Sequence, residues 1–114
     1  MVLLLSDLEQ MGRSALAEFT DEASESSTQS EISRHIERLE AKLEQLYAVA
    51  AMLAERADQL QDVEAIWARM VGICDNSAEA VTKLLQKHRA NGSAAYDRIL
   101  DIRNECEENR ALHA

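Results

Sequence analysis

Cys74, His88 and Cys106 are the side chains in this chain whose types could do chemistry, and Trp67 stands one heptad before the first of them. A thiol beside an aromatic wall could be a nucleophile, and two Cys with one His could hold a metal ion. Their spacings, 14 and 18 residues, argue against a metal. Zinc sites gather ligands in close pairs such as C-x2-C or H-x3-H, and no such pair occurs here. Activation of the thiol has little support either. Arg69 is the one basic neighbour of Cys74 within about a helical turn. The residues read better as buried thiols and a tolerated polar residue in a packing stripe, with His88 setting register at some cost in stability. Glu64 is read the same way, as a carboxylate that pairs with an Arg of a neighbouring helix. A catalytic acid would need a second carboxyl group and a concave pocket, which a helical rod does not offer. No Gly-rich phosphate loop and no G-x-S-x-G elbow is present. The expectation is a chain with no catalytic residues, no cofactor, no metal and no small-molecule substrate.

The elements that carry these residues are helical. The 114 residues include no Pro and 3 Gly, and good helix formers dominate. Aromatic residues make up 4% and charged residues 29%, a balance that suits long helices. Counted in sevens from Ile32, the chain reads Ile32, Leu39, Leu46, Leu53, Leu60, Trp67, Cys74, Val81, His88, Ala95 and Ile102, apolar throughout except at His88. The companion set four residues on is Ile36, Leu43, Ala50, Ala57, Glu64, Val71, Ala78, Leu85, Gly92, Ile99 and Cys106, interrupted by Glu64 and Gly92. A repeat held in one phase this long is a coiled-coil seam, because 3.5 residues per turn keeps one stripe facing a partner. Trp67 and Cys74 are thus seam positions. Val49, Val63, Met70 and Leu84 widen the stripe, which favours several neighbouring helices over a simple dimer.

The fold class expected is all-α: a long coiled-coil helix or helical hairpin in a multi-helix bundle, preceded by a short amphipathic helix. That first helix occupies residues 1–19, where "SDLE" (Ser6 to Glu9) has capping-box spacing and Leu8, Met11, Ala15 and Phe19 recur at helical intervals. Residues 20–30, "TDEASESSTQS", are acidic, rich in Ser and Thr and without apolar periodicity, so they read as a linker. Thr28 and Glu31 form a second capping box, and the coiled-coil region spans 31–110. Two breaks are conceivable. Asn76, with Glu79 three residues on, could cap a new helix after a turn at 75–77, and the Asn-Gly pair marks 91–93. The unbroken apolar phase favours continuity at the first and leaves the second open.

The seam expected to bind partners comprises Ile32, Ile36, Leu39, Leu43, Leu46, Leu53, Leu60, Val63, Trp67, Met70, Cys74, Val81, Leu85, Ile99 and Ile102. A single helix cannot cover such a stripe, so other coiled-coil chains are the expected partners and the isolated chain is expected to self-associate. The alternative is a self-contained small helical domain that binds a small partner or metal and stands as a stable monomer. The 21 acidic and 12 basic residues leave a net charge of −9, which repels phosphate backbones and anionic membranes. Nucleic acid is therefore not an expected partner, and no apolar run approaches the roughly 18 residues of a membrane span. Two Cys and no secretory signal imply reduced thiols in the cytoplasm. In that compartment the "NGS" acceptor at Asn91 would stay bare.

The middle of the chain resembles the dynactin subunit 3 family, small coiled-coil subunits of the shoulder of dynactin. The residues that carry the resemblance are "AKLEQLYAVAAML", Ala41 to Leu53, followed in one ungapped register by Leu60-Gln61, Ile66, Cys74 and the Leu84-Leu85 pair. It covers about Ala41 to Leu85. The chain departs from that family's pattern at His88, where Tyr is expected, and at Ile102, where Trp is expected. Most of the family's N-terminal half has no counterpart here. "VEAIWARM", Val63 to Met70, is similar to stretches in the small subunits of the DASH kinetochore ring. Both resemblances imply a non-catalytic, cytoskeleton-associated subunit of a microtubule-linked assembly.

Overall fold

A computed structural model describes residues 4–23, 27–90 and 92–114, and among these it contains four α-helices. They are α1 (Leu5–Glu22), α2 (Gln29–Arg56), α3 (Leu60–Lys87) and α4 (Ala94–Leu112). Residues 1–3 of the apolar start, 24–26 of the expected linker and Asn91 of the acceptor triplet lie outside the described residues.

The helix boundaries follow from local hydrogen bonding. At the start of α2 the Glu31 backbone N–H donates to Thr28 Oγ1 at 3.2 Å, and the Thr28 N–H donates to Glu31 Oε1 at 3.1 Å. This is the reciprocal capping box expected from the sequence. The cap expected at Ser6 lies elsewhere. Asp7 Oδ2 accepts from the Leu4 N–H at 2.7 Å, and Ser6 is already inside α1. Ala57, Asp58 and Gln59 separate α2 from α3, a break through which the apolar heptad runs on without a change of phase. Between Lys87 and Ala94, Arg89 (φ 54°) and Gly92 (φ 123°) take left-handed backbone conformations. Ser93 Oγ then accepts the Tyr96 N–H at 3.0 Å and caps α4. No turn forms at 75–77. Asp75, Asn76 and Ser77 are interior residues of α3.

Of the two expected forms, a long coiled-coil helix or a helical hairpin in a multi-helix bundle, the described residues take the folded-back one. α2 and α3 lie antiparallel, joined through Tyr47 and Trp67, whose rings are 5.2 Å apart and tilted by 49°. α1 and α4 flank this pair without approaching each other, which gives a flattened body of 47 × 28 × 15 Å. The order is up-down-up-down, as short connections dictate. Ion pairs record the register of the outer helices. Glu18 of α1 pairs with Lys42, and Glu9 Oε1 lies 2.6 Å from Arg69 Nη1. On the other side Arg98 Nη2 lies 2.9 Å from Glu44 Oε1.

The core is the expected stripe, covered by the chain's own helices. Ile32, Ile36, Leu39, Leu43, Leu46, Leu53, Val63, Trp67, Met70, Cys74, Val81, Leu85, Ile99 and Ile102 are all buried. Leu8, Ala15 and Phe19 of α1 close the cluster from one side. Of the expected seam only Leu60 is outside it, 73% exposed at the start of α3. A broad stripe needs several neighbours, and folding back supplies them within one chain.

Gly12 marks a close approach of α1 to α3. A Cβ built on Gly12 would lie 2.8 Å from Ile73 Cδ1, whereas one built on Gly72 meets nothing within 4 Å. Gly12→Ala is expected to lower stability by about 1–3 kcal/mol through overpacking. Gly72→Ala should raise it by about 0.5–1 kcal/mol through helix propensity. Urea denaturation of both variants checks the pair; equal gains would mean α1 does not seat where Gly12 places it.

Candidate functional site

The α3–α4 register brings the two thiols together. Thr82 Oγ1 and the Tyr96 hydroxyl are 3.0 Å apart, Arg103 Nε donates to Asp75 Oδ1 at 3.0 Å, and Arg110 Nη1 donates to Glu64 Oε1 at 3.3 Å. These contacts fix an antiparallel pairing in which Cys74, next to Asp75, stands opposite Cys106, one turn beyond Arg103. Both cysteines are free and fully buried. The neighbouring Cys74 thiol, and then burial, push the Cys106 thiol well above its ordinary range. Ser77, one turn from Cys74, is buried, and its Oγ has no hydrogen-bond partner among the described residues.

This geometry decides how the candidate residues are used. A protonated, buried thiol is a small apolar side chain rather than a nucleophile. Arg69, its one basic neighbour in sequence, is paired with Glu9 on α1. His88 sits at the C-cap of α3, about 21 Å along the helix from Cys74, so the three residues do not converge. Among the described residues no group of three or more His, Cys, Asp and Glu side chains is placed to hold a metal ion. Glu64 is paired with an Arg of a neighbouring helix, the role the sequence suggests for it.

A second feature was not legible in the sequence. The N-terminus of α1, the C-terminus of α2, the N-terminus of α3 and the C-terminus of α4 all lie at one end of the bundle. Leu4 (56% exposed), Met52 (42%), Leu60 (73%) and Leu112 (79%) are at that end. Met11 is the other large apolar side chain exposed among the described residues, and it lies on the α1–α2 side beside Lys42 and Gln45. Glu55, Asp58, Asp62 and Glu108, near the same helix ends in sequence, are exposed acids, and Arg56 is an exposed base among them. No helix of the described residues is long and apolar enough to cross a membrane.

Carboxylates elsewhere on the surface respond to their neighbours in opposite directions. A hydrogen bond from Lys42 holds Glu18 below the ordinary carboxylate value, and the Thr28 cap does the same for Glu31. Such groups stabilise the fold above their unfolded value, and that contribution is lost as pH falls through the folded one. Glu40 behaves in reverse. Burial, then the adjacent Glu44 carboxylate, raise it, so its ionised form disfavours the fold. Glu40→Gln should therefore raise stability at about pH 7, with the gain vanishing by about pH 3, where the carboxyl is protonated in both states. Thermal melts at the two pH values check this; an unchanged gain at low pH would show that charge is not the cause.

No protein-family model, curated protein or solved structure matches the chain.

Proposed function

We propose that the chain is a non-catalytic helical module that joins other helical chains through the apolar end of its bundle. The single observation that carries this reading is that Leu4, Met52, Leu60 and Leu112, near the helix ends on one side of the bundle, are exposed while the heptad stripe is already buried inside. Side chains of this size are left in water at a cost of roughly 1.5–3 kcal/mol each relative to burial, so a partner that covers them gains affinity. The exposed Glu55, Asp58, Asp62 and Glu108 near the same helix ends favour a partner helix with Lys or Arg at its margins. The non-catalytic reading is supported by how the reactive side chains are used: Glu64 in an ion pair, and Cys74 and Cys106 in the core. The dynactin-like run Ala41 to Leu85, folded here as the α2–α3 hairpin, suggests the setting, a cytoplasmic assembly linked to microtubule motors.

The test is affinity purification of the wild-type chain and of Leu60→Asp/Leu112→Asp, with identification of the co-purifying chains. The double variant should keep the wild-type melt, because both side chains are exposed, and should lose the helical partners that wild type retains. Dynactin shoulder chains among the lost partners would support the motor-linked setting. Partners retained undiminished by the double variant would sink the apolar end as the binding surface.

A further inference from the structure

We propose that Cys74 and Cys106 form a reversible disulfide site that staples α4 to α3 when α4 re-docks in the presence of a low-molecular-weight disulfide. The two thiols stand opposite each other in the antiparallel register fixed by the Asp75–Arg103 and Glu64–Arg110 contacts. Both are free and completely buried, and the Thr82–Tyr96 contact holds the same register from the other side. A disulfide needs its sulfurs to close to about 2.05 Å, a movement that facing thiols on adjacent helices can make with small backbone adjustment. Burial and the protonated state of Cys106 hold the pair unreactive while α4 is docked.

Access comes from α4 itself. It carries three buried side chains, Ile99, Ile102 and Cys106, and its packing on α3 is what covers Cys74. A sub-global opening that separates α4 from α3 therefore uncovers the pair, and denaturant below the unfolding transition promotes it. One opening event exposes both thiols together. The Cys74 or Cys106 thiol then loses its proton and its sulfur attacks the small disulfide, forming a mixed disulfide and releasing one small thiolate. On re-docking, the second cysteine gives up its proton and attacks the protein sulfur of the mixed disulfide. The Cys74–Cys106 bond forms, a second small thiolate leaves, and the two protons end on the two released thiols. The protein is oxidised by two electrons and the small disulfide is reduced.

The bond closes a loop over residues 75–105, and constraining that loop in the unfolded chain should raise the thermal midpoint by roughly 10 °C. The experiment incubates the full chain with oxidised glutathione, with urea raised in steps below the unfolding transition. Peptide mass analysis then identifies the linkage. The expected product is an intramolecular Cys74–Cys106 disulfide, formed faster at each urea step, with a raised midpoint that dithiothreitol reverses. Ile99→Ala, which loosens α4, should accelerate formation by at least about 10-fold without urea. Cys106→Ser should yield only the glutathione adduct at Cys74. A chain that stops at mixed disulfides, links to a second chain, or melts lower once cross-linked would overturn the proposal. Because these readouts involve no partner chain, their failure is distinguishable from failure of the apolar-end reading.

Discussion

Leu46→Asp is expected to unfold the bundle, whereas Leu60→Asp, fourteen residues on in the same heptad series, is expected to leave its melt unchanged. Leu46 is 2% exposed and packs among residues of the shared core, so an Asp there would be a charge without a partner in apolar surroundings. The cost, about 4–5 kcal/mol or more, is a large share of the about 5–15 kcal/mol that holds a small domain together. Leu60 is 73% exposed beyond the Asp58–Gln59 break, and a charge there stays in water. Circular dichroism melts of both variants separate two physical pictures. In an extended coiled coil the two positions are equivalent seam residues, and both substitutions would detach a partner. In the folded-back bundle only the first is inside. Similar losses for both would restore the extended helix.

Trp67→Ala should cost about 3–5 kcal/mol, the second largest effect expected of a single substitution. Trp67 is 5% exposed and contacts Tyr47 across the α2–α3 interface, and Asn109 Nδ2 of α4 donates to the Tyr47 hydroxyl at 3.1 Å. Removing the indole leaves a cavity where three helices meet and frees the tyrosine ring that links them. Trp67→Phe keeps most of the apolar volume and an aromatic face, so its loss should be clearly smaller. Tyr47→Phe deletes only the hydroxyl and should cost about 1 kcal/mol. Urea unfolding followed by far-ultraviolet circular dichroism, rather than by tryptophan fluorescence, measures all three variants on one scale. A Trp67→Ala loss no greater than that of Tyr47→Phe would mean the ring does not occupy the junction.

The residues that form the core were legible in the sequence, and the elements that cover them were not. Heptad spacing from Ile32 picks out side chains that must leave water, and all of those assigned to the seam are buried except Leu60. Spacing does not say whether the cover is a second chain or the same one. The break at Asp58–Gln59 decides that, and it contains no Gly, Pro or Asn-Gly pair. The available signal was polarity. From Glu55 to Asp62 only Ala57 and Leu60 are apolar, so the stripe is thinnest where the chain turns. At 75–77 the opposite held: a cap-like Asn76 lies in an unbroken helix because Cys74, Ser77 and Val81 are buried on one face. The thiol pair was missed because Cys74 and Cys106 belong to different positions of the repeat, and only the fold-back between α3 and α4 sets them opposite each other. The apolar end was likewise invisible, since it is assembled from the termini of all four helices. Glu64 was readable, because a lone carboxylate in an apolar stripe needs a cation and Arg110 supplies it.

Sedimentation equilibrium of the isolated chain across a wide concentration range, paired with thermal melts at the same concentrations, tests the fold-back most directly. A chain that buries its own heptad stripe should sediment as a monomer and melt in one cooperative transition whose midpoint does not move with concentration. A mass that grows with concentration, with a midpoint that rises alongside it, would show that a second copy completes the core and would contradict the self-contained bundle.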